Sequence, residues 1–207
     1  MGNKINLING NFITLDDTCP SAEMISVEND KIAGINAIDH NCESIDLNGA
    51  TVIPGFVDAH FHLVNLGKQT DTLKLKDCIS AQAVADLVLQ KGENIEKNEW
   101  ILGFGWDNTK WDNKKFPSSD MLNSLPTHQP VMLTRIDGHS CWVNHKAMQL
   151  SGMDVSQIPP KGGDIINNCI LIDNAMNLVK LVIPKPDEKK VKKWIKLALD
   201  IIIPRGI

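Results

Sequence analysis

The chain has 207 residues, of which 43% are apolar and 22% charged, a composition typical of a folded globular protein rather than a disordered one. Its formal net charge of −4 gives no indication of a nucleic-acid partner, and no apolar run is long enough for a membrane span. A complete (β/α)₈ barrel takes about 250 residues, so a whole barrel with an additional domain is excluded at this length.

The first fifty residues predict a small β-layer. Their short apolar runs are separated by Asn, Gly and Asp, the residues typical of tight turns. Residues 5–8 and 12–14 flank the sequence Asn9-Gly10-Asn11, which predicts a β-hairpin.

The pattern changes at Thr51. In residues 51–62, apolar side chains occur at both odd- and even-numbered positions. This pattern predicts a strand buried on both faces, as in a parallel sheet. Helices and strands then alternate, so the fold class is α/β. The predicted helices cover residues 81–90, 146–150, 174–182 and 188–203, with Ser80, Asn144, Asp173 and Asp187 as N-caps. The predicted strands cover residues 100–104 and 131–136, with a tight hairpin at 165–171.

His60 and His62 are the first candidate site residues. At the end of a strand, residues i and i+2 point to the same side, so both imidazoles could bind one metal ion. The spacing alone is weak evidence, and two unconnected histidines at an exposed strand end are the alternative.

The surrounding residues carry a family resemblance. Residues 52–63, VIPGFVDAHFHL, resemble the first barrel strand of the metal-dependent amidohydrolase superfamily. The segments WILGFGWD, PVMLTRIDGH, WVN, GGDI and DNAM, which begin at residues 100, 130, 142, 162 and 173, are similar to its YtcJ-like branch. The resemblance implies a composite β-sandwich portion at 1–50, followed at 51–207 by the start of a TIM-like hydrolase barrel with an inserted segment around 100–185.

The resemblance also implies a reaction. A metal-activated water attacks an amide-type small molecule and breaks a carbon–nitrogen bond other than a peptide bond, with deformylation of N-substituted formamides as one activity of the branch. His60 and His62 correspond to the first two metal ligands, and the expected cofactor is a divalent metal, Zn²⁺ above all, with one or two ions in a full-length relative.

Later ligands of the family are missing from this sequence. Relatives exceed 450 residues and close their site with groups from later strands, so we expect an N-terminal portion that is inactive alone and holds metal weakly. Its hairpin after Ile166 is also shorter than in relatives. A catalytically silent remnant or interaction module is the alternative function. A carbohydrate-binding module built on the tryptophans is disfavoured, because the family motifs account for them.

Two further groups are candidate substrate contacts. Trp106 and Asp107 end a strand and could line a pocket, although packing of an inserted subdomain is the alternative for all four tryptophans at 100, 106, 111 and 142. Arg135, Asp137 and His139 also end a strand. His139 is the candidate proton carrier or substrate contact, and the alternative is a structural Arg–Asp pair beside a structural histidine.

The remaining features bear on compartment and partners. Five widely spaced cysteines form no Cys-x-x-Cys pair, which predicts reduced thiols in a cytoplasmic protein. The basic amphipathic pattern of residues 187–203 is typical of an outer barrel helix, so we expect no membrane partner. An incomplete barrel would expose apolar surface, which predicts self-association.

Overall fold

The computed structural model describes residues 4–37, 39, 41–154 and 157–207. The chain divides into two compact units, one of residues 1–61 with 202–207 and one of residues 62–201. The sequence-based boundary lay at residue 50. The mixed α/β class predicted from the sequence is confirmed by the element order.

The first unit consists of two small sheets. Phe12, Ala22 and Ile25 are buried in its core. The four-stranded sheet has the order β5-β4-β1-β6, and the three-stranded sheet has the order β3-β2-β7. Their strands are β1 (Lys4–Ile8), β2 (Asn11–Ile13), β3 (Ser21–Ala22), β4 (Ile25–Glu28), β5 (Lys31–Ile35), β6 (Glu43–Asp46) and β7 (Thr51–Val52).

The predicted hairpin around Asn9-Gly10 is wrong. β1 pairs with β4 and β6, whereas β2 pairs with β3 and β7, so the chain crosses from one sheet to the other at this turn. Asn9 does take the left-handed conformation of a turn residue, with φ 53°. Asn9-Gly10 therefore does form a turn. The strands on its two sides pair with other strands and not with each other, because Phe12 is buried in the core of this unit.

The predicted buried strand over residues 51–62 is also wrong. Only Thr51–Val52 is a strand, and residues 53–62 are exposed and irregular. Within the described part of the chain, this segment has one regular partner strand, β2, at its first two residues. Beyond them, the Phe56 N–H donates to the carbonyl of Gly206 at 2.5 Å. An apolar run forms a buried strand only where neighbouring strands cover it, and here they do not.

The second unit is built on a six-stranded mixed sheet of order β12-β13-β11-β10-β9-β8. β8, β9 and β10 are parallel, and the remaining pairs are antiparallel. Its strands are β8 (Leu73–Lys74), β9 (Ile101–Trp106), β10 (Val131–Arg135), β11 (Ser140–Val143), β12 (Gly163–Ile166) and β13 (Ile170–Asp173). Its helices are α1 (Leu63–Asp71), α2 (Ala81–Glu93), α3 (Ser119–Asn123), α4 (His145–Leu150), α5 (Met176–Lys180) and α6 (Glu188–Ile202).

Local signals placed several of these elements correctly. Ser80 accepts a hydrogen bond from the Ala83 N–H at 3.1 Å and begins α2, and Asn144 caps α4 through the Ala147 N–H at 3.0 Å. Asp187 likewise accepts from the Lys190 N–H at 2.8 Å. The hairpin between β12 and β13 turns at Asn167 and Asn168, both with positive φ.

The sheet separates two apolar clusters. One holds Trp106, Trp111 and Trp142 with Leu133, and the other holds Met132, Cys141 and Val143 beside α4 and α5. Alternating residues of β10 and β11 therefore face opposite clusters, as the pleat requires. Among the described residues, no helix combines the length and apolar composition needed to cross a membrane.

Candidate functional site

Polar side chains gather at one edge of the six-stranded sheet. The carboxyl ends of β8, β9 and β10 meet there because these strands are parallel. β13 runs in the same direction as β10, since each is antiparallel to β11. The ionisable residues at these strand ends and in the loops beside them are Asp107, Arg135, Asp137, His139 and Asp173. This edge is where open α/β sheets place their ligands.

A β-bulge at Gly105 orients the end of β9. Thr134 lies opposite Phe104, but the next residue, Arg135, lies opposite Trp106. Gly105 is the extra residue and has φ 106°, which favours glycine. In a regular strand, Phe104 and Trp106 would share a face; here Phe104 is 49% exposed and Trp106 is fully buried. The bulge thus turns Trp106 inward.

Trp106 is a core residue of this chain. Its indole N–H donates to the Leu133 carbonyl at 2.8 Å, and its ring stacks on Trp111 with 5.8 Å between centroids. Phe116 and Trp142 meet the same ring edge-on. These contacts support the packing alternative for Trp106, Trp111 and Trp142, while Trp100 is half-buried against the second cluster.

Arg135 connects the strand ends. Its guanidinium lies 6.0 Å from the centre of the Trp106 ring and donates through Nε to Asn108 Oδ1 at 3.0 Å. It also forms ion pairs with Asp137 and, at 3.5 Å, with Asp107. The Arg–Asp pair that sequence reasoning offered as the structural alternative is therefore present. It holds the loop after β10 against the loop after β9.

Asp107 is an anion held at the edge of the sheet. Its Oδ1 accepts the Thr109 hydroxyl at 2.7 Å and the Thr109 N–H at 3.1 Å. These hydrogen bonds, together with the positive charge of Arg135, hold the pKa of Asp107 below its ordinary value. Asp107 can thus accept hydrogen bonds or attract a positive charge, but it cannot donate a proton near neutral pH.

His139 is the exposed imidazole of this edge. Its Nδ1 lies 2.9 Å from Asp173 Oδ1, and its backbone N–H donates to Asp137 Oδ1 at 2.9 Å. The side chain of His139 is 76% exposed and that of Asp173 is 51% exposed. The sequence predicts Asp173 as the N-cap of the following helix, but in the structure α5 begins later, with Ala175 as its N-cap.

The structure places His60 and His62 in the exposed segment after β7. The His60 N–H donates to Asp58 Oδ1 at 3.0 Å, and His62 directly precedes α1. The division into compact units falls between them. Imidazole donors suit a divalent metal, but across residues 4–37, 39, 41–154 and 157–207 no three His, Cys, Asp or Glu are grouped so that they could hold an ion. The described residues therefore do not make a complete metal site.

Sequence reasoning missed two members of the charged edge. Asn108 is buried and joins Arg135 to the Lys114 carbonyl at 3.1 Å, and Asp173 contacts a histidine 34 residues earlier in the chain. Asn108 is the second residue after β9 and Asp173 is the last residue of β13, and this closeness to a strand end was the signal that the sequence offered.

A family model described as "Amidohydrolase family" matches residues 43–202. This range includes both histidines at 60 and 62 and the whole charged edge of the sheet.

Individual proteins are similar over much of the chain. YtcJ of Bacillus subtilis (strain 168), which is named as an amidohydrolase, is 27% identical over 96% of this chain and 40% of its own length. The protein LONG AFTER FAR-RED 3 of Arabidopsis thaliana is 29% identical over 83% of this chain and 31% of its own. An N-substituted formamide deformylase of Arthrobacter pascens is 29% identical over 77% of this chain and 31% of its own. The chain therefore spans well under half the length of these relatives.

A solved structure shares the fold. The crystal structure of an uncharacterized metal-dependent hydrolase from Pyrococcus furiosus aligns with a TM-score of 0.71 and 22% identity. The alignment covers 99% of this chain and 43% of that one.

Proposed function

We propose, from the premise that this chain belongs to the amidohydrolase family, that it forms the first part of a metal-dependent hydrolase of carbon–nitrogen bonds other than peptide bonds. The observation that carries this proposal is the family match over residues 43–202, which spans both candidate ligands and the charged edge. The chain alone is inactive in this proposal, because it covers 31–43% of the relatives' lengths and the described residues complete no metal site.

His60 and His62 are the proposed metal ligands of this chain, and Zn²⁺ is the proposed ion. A bound zinc supplies a water of lowered pKa and polarises the substrate carbonyl. Catalytic zinc sites use three protein ligands, so two histidines account for part of the set. The remaining ligands would come from a part of the enzyme that this chain does not contain. Weak zinc binding by the 207-residue chain follows.

The proposed substrate is a small amide, with N-substituted formamides as the first class to test. This choice rests on the named activity of one relative, the deformylase of Arthrobacter pascens. Asp107 and His139 are the groups of this chain proposed to face the substrate: Asp107 as an anionic hydrogen-bond acceptor and His139 as a proton carrier. Trp106 is fully buried, so in this proposal it does not face the substrate. Its ring supports the Arg135 guanidinium.

A second candidate function is a catalytically silent interaction module that holds no metal tightly. The observation that favours it is the lack, within the described ranges, of any grouping of three potential ligands.

For either function, the proposed location of the protein is the cytoplasm. The support for this location is that the five cysteines are free thiols.

Zinc titration of the purified chain separates the two functions. We expect weak, saturable binding that His60→Ala and His62→Ala each reduce at least about tenfold, since each removes one of two ligands. His145→Ala is the matched control, because His145 is an exposed histidine at the start of α4. Binding that all three variants leave unchanged, or no binding in the wild type, would favour the silent module.

A further inference from the structure

His139 and Asp173 form a side-chain contact at the sheet edge that the sequence did not predict. The pair is held by one backbone hydrogen bond and one contact between the side chains. The Asp173 N–H donates to the His139 carbonyl at 2.9 Å, and the side chains meet again at 2.9 Å between Oδ1 and Nδ1. Two bonds between the same two residues fix the imidazole relative to the end of β13.

The backbone of Asp173 adds a second observation. Asp173 has φ 48°, a left-handed conformation that aspartate tolerates better than most residues. This conformation comes at the last residue of β13, where the Ala175 N–H bonds back to the Ile172 carbonyl at 3.0 Å. A turn residue of other chemistry could have ended the strand, but it would not have brought a carboxylate to the imidazole.

The chemistry of the two groups decides which ring nitrogen carries the proton. An ionised carboxylate has acceptor sites alone, so a hydrogen bond to Asp173 Oδ1 requires the proton to lie on Nδ1. The neutral ring then presents the lone pair of Nε2 away from Asp173. With its side chain 76% exposed, His139 offers that lone pair to solvent at the carboxyl edge of the sheet.

We propose that Asp173 is a positioning residue that holds His139 in the Nδ1–H tautomer, so that Nε2 is the proton acceptor of this site. The use of Nε2 as a proton acceptor in hydrolysis rests on the proposed function, whereas the assignment of the tautomer is independent of it. When Nε2 takes a proton from the water that attacks the amide carbonyl carbon, the ring becomes an imidazolium that keeps its Nδ1–H bond to the Asp173 carboxylate. As the C–N bond then breaks, the same proton passes from Nε2 to the departing amine nitrogen.

The nearby charges do not compete for the ring. Asp137 accepts the backbone N–H of His139 rather than an imidazole N–H, and it is ion-paired with Arg135. Arg135 is in turn bound to Asp107 and Asn108. A variant at Asp137 therefore changes the local charge while leaving the ring partner in place, which makes it the matched control.

Nitrogen-15 NMR of the histidine rings in the 207-residue chain tests this assignment, because ring nitrogen shifts distinguish the two tautomers. At about pH 9, well above the reference pKa of imidazole, we expect wild-type His139 to be mainly Nδ1–H. Asp173→Gly keeps the left-handed backbone and removes the carboxylate, so Nε2–H should become the major form. Asp137→Asn should leave the Nδ1–H form in the majority.

A wild type that is mainly Nε2–H, or an Asp173→Gly variant that keeps the wild-type tautomer, would overturn the assignment. Where Asp173→Gly does not fold, Asp173→Asn decides: its amide tolerates the same backbone and can donate as well as accept, so the Nδ1–H majority should be lost, and its retention would refute the role. Because the readout involves neither zinc nor turnover, a chain with the expected tautomer but no zinc binding would contradict the proposed function alone.

Discussion

Gly67 of α1 lies directly against the main chain of Trp194 in α6. A Cβ atom at position 67 would overlap the carbonyl group of Trp194, so the two helices approach as closely as their backbones allow. One turn further along α1, Asp71 accepts the Trp194 indole N–H at 2.9 Å. The close crossing and the hydrogen bond fix α6 to α1 at two points.

Replacing Gly67 with alanine should therefore destabilise the chain, although alanine is the better helix former. The new methyl group meets backbone atoms that cannot rotate away, and overpacking of this kind costs about 1–3 kcal/mol. Urea unfolding of Gly67→Ala measures the loss. Gln69→Ala, at an exposed position of the same helix, should stay within about 0.5 kcal/mol of wild type. Equal stability of the two variants would contradict the close crossing.

Asp71 is the charged centre of the same contact. Its side chain is 10% exposed and pairs with Lys193 at 2.9 Å, Lys91 at 3.3 Å and Lys190 at 3.6 Å. Burial favours the neutral acid, but the hydrogen bonds from Lys193 and Trp194 and the charge of Lys91 outweigh it and hold the pKa of Asp71 well below its usual range. The folded state thus prefers the carboxylate more strongly than the unfolded chain does.

The pH dependence of stability follows from this preference. The stabilisation by Asp71 is complete above the unfolded-state pKa of about 3.9 and is lost as the pH falls below that value toward the lower folded-state pKa. Asp71→Asn should cost about 1–3 kcal/mol at pH 7 and should flatten the loss of stability below about pH 4. Unfolding measured across this range checks both effects. Asp200→Asn, at an exposed position of α6, should change neither, and an identical acid profile for Asp71→Asn would refute the account.

Trp106 and Trp142 provide a matched test of the indole hydrogen bond. Both are fully buried, but the Trp106 N–H donates to Leu133, whereas the Trp142 N–H has no partner among the described residues. Phenylalanine removes similar volume at each site, so Trp106→Phe should cost about 1 kcal/mol more than Trp142→Phe. Thermal or urea unfolding gives the difference. A larger loss at Trp142 would mean that packing, not the hydrogen bond, dominates.

Self-association is expected from the apolar side chains that stay exposed. Val57 is 92% exposed and Phe56 is 60% exposed. Both lie in the irregular segment that follows the two-residue strand β7. The burial of such groups drives association at about 25 cal/mol per Å² of apolar surface removed from water. Light scattering should show a mass that rises with concentration, and Val57→Asp should reduce the rise. A monodisperse monomer at all concentrations would contradict this expectation.

The sequence predicted correctly those elements that are determined by residues close together in the chain. Ser80, Asn144 and Asp187 cap their helices through bonds three residues away, so the sequence sufficed for them. The pairing of β1 and β2 depends on partner residues 8 to 40 positions away in the chain, and the turn residues Asn9-Gly10 do not specify it. Residues 53–62 have the composition of a buried strand, but burial requires neighbours that the composition does not specify.

For the candidate site, the sequence predicted which residues lie near strand ends but not how their side chains are arranged. Asp107, Arg135 and His139 lie at one edge of the sheet, and each is at or near the end of a strand predicted from the sequence. The inward turn of Trp106 depends on the Gly105 bulge, which changes the side-chain period by one residue and leaves no signature in an apolar run. The bond between His139 and Asp173 joins the turn of the β10–β11 hairpin to the end of the β12–β13 hairpin and follows from the register of β11 against β13.

The kinetics of a completed enzyme test the central proposal, that this chain supplies His60 as a metal ligand of a C–N hydrolase. The chain is extended at its C-terminal side with the corresponding part of Bacillus subtilis YtcJ, and formate release from N-substituted formamides is followed together with zinc content. His60→Ala should lose both zinc and activity, whereas His139→Ala should keep its zinc and lose about 10²–10⁴-fold in kcat. A His60→Ala enzyme that retains its zinc and most of its kcat would contradict the account.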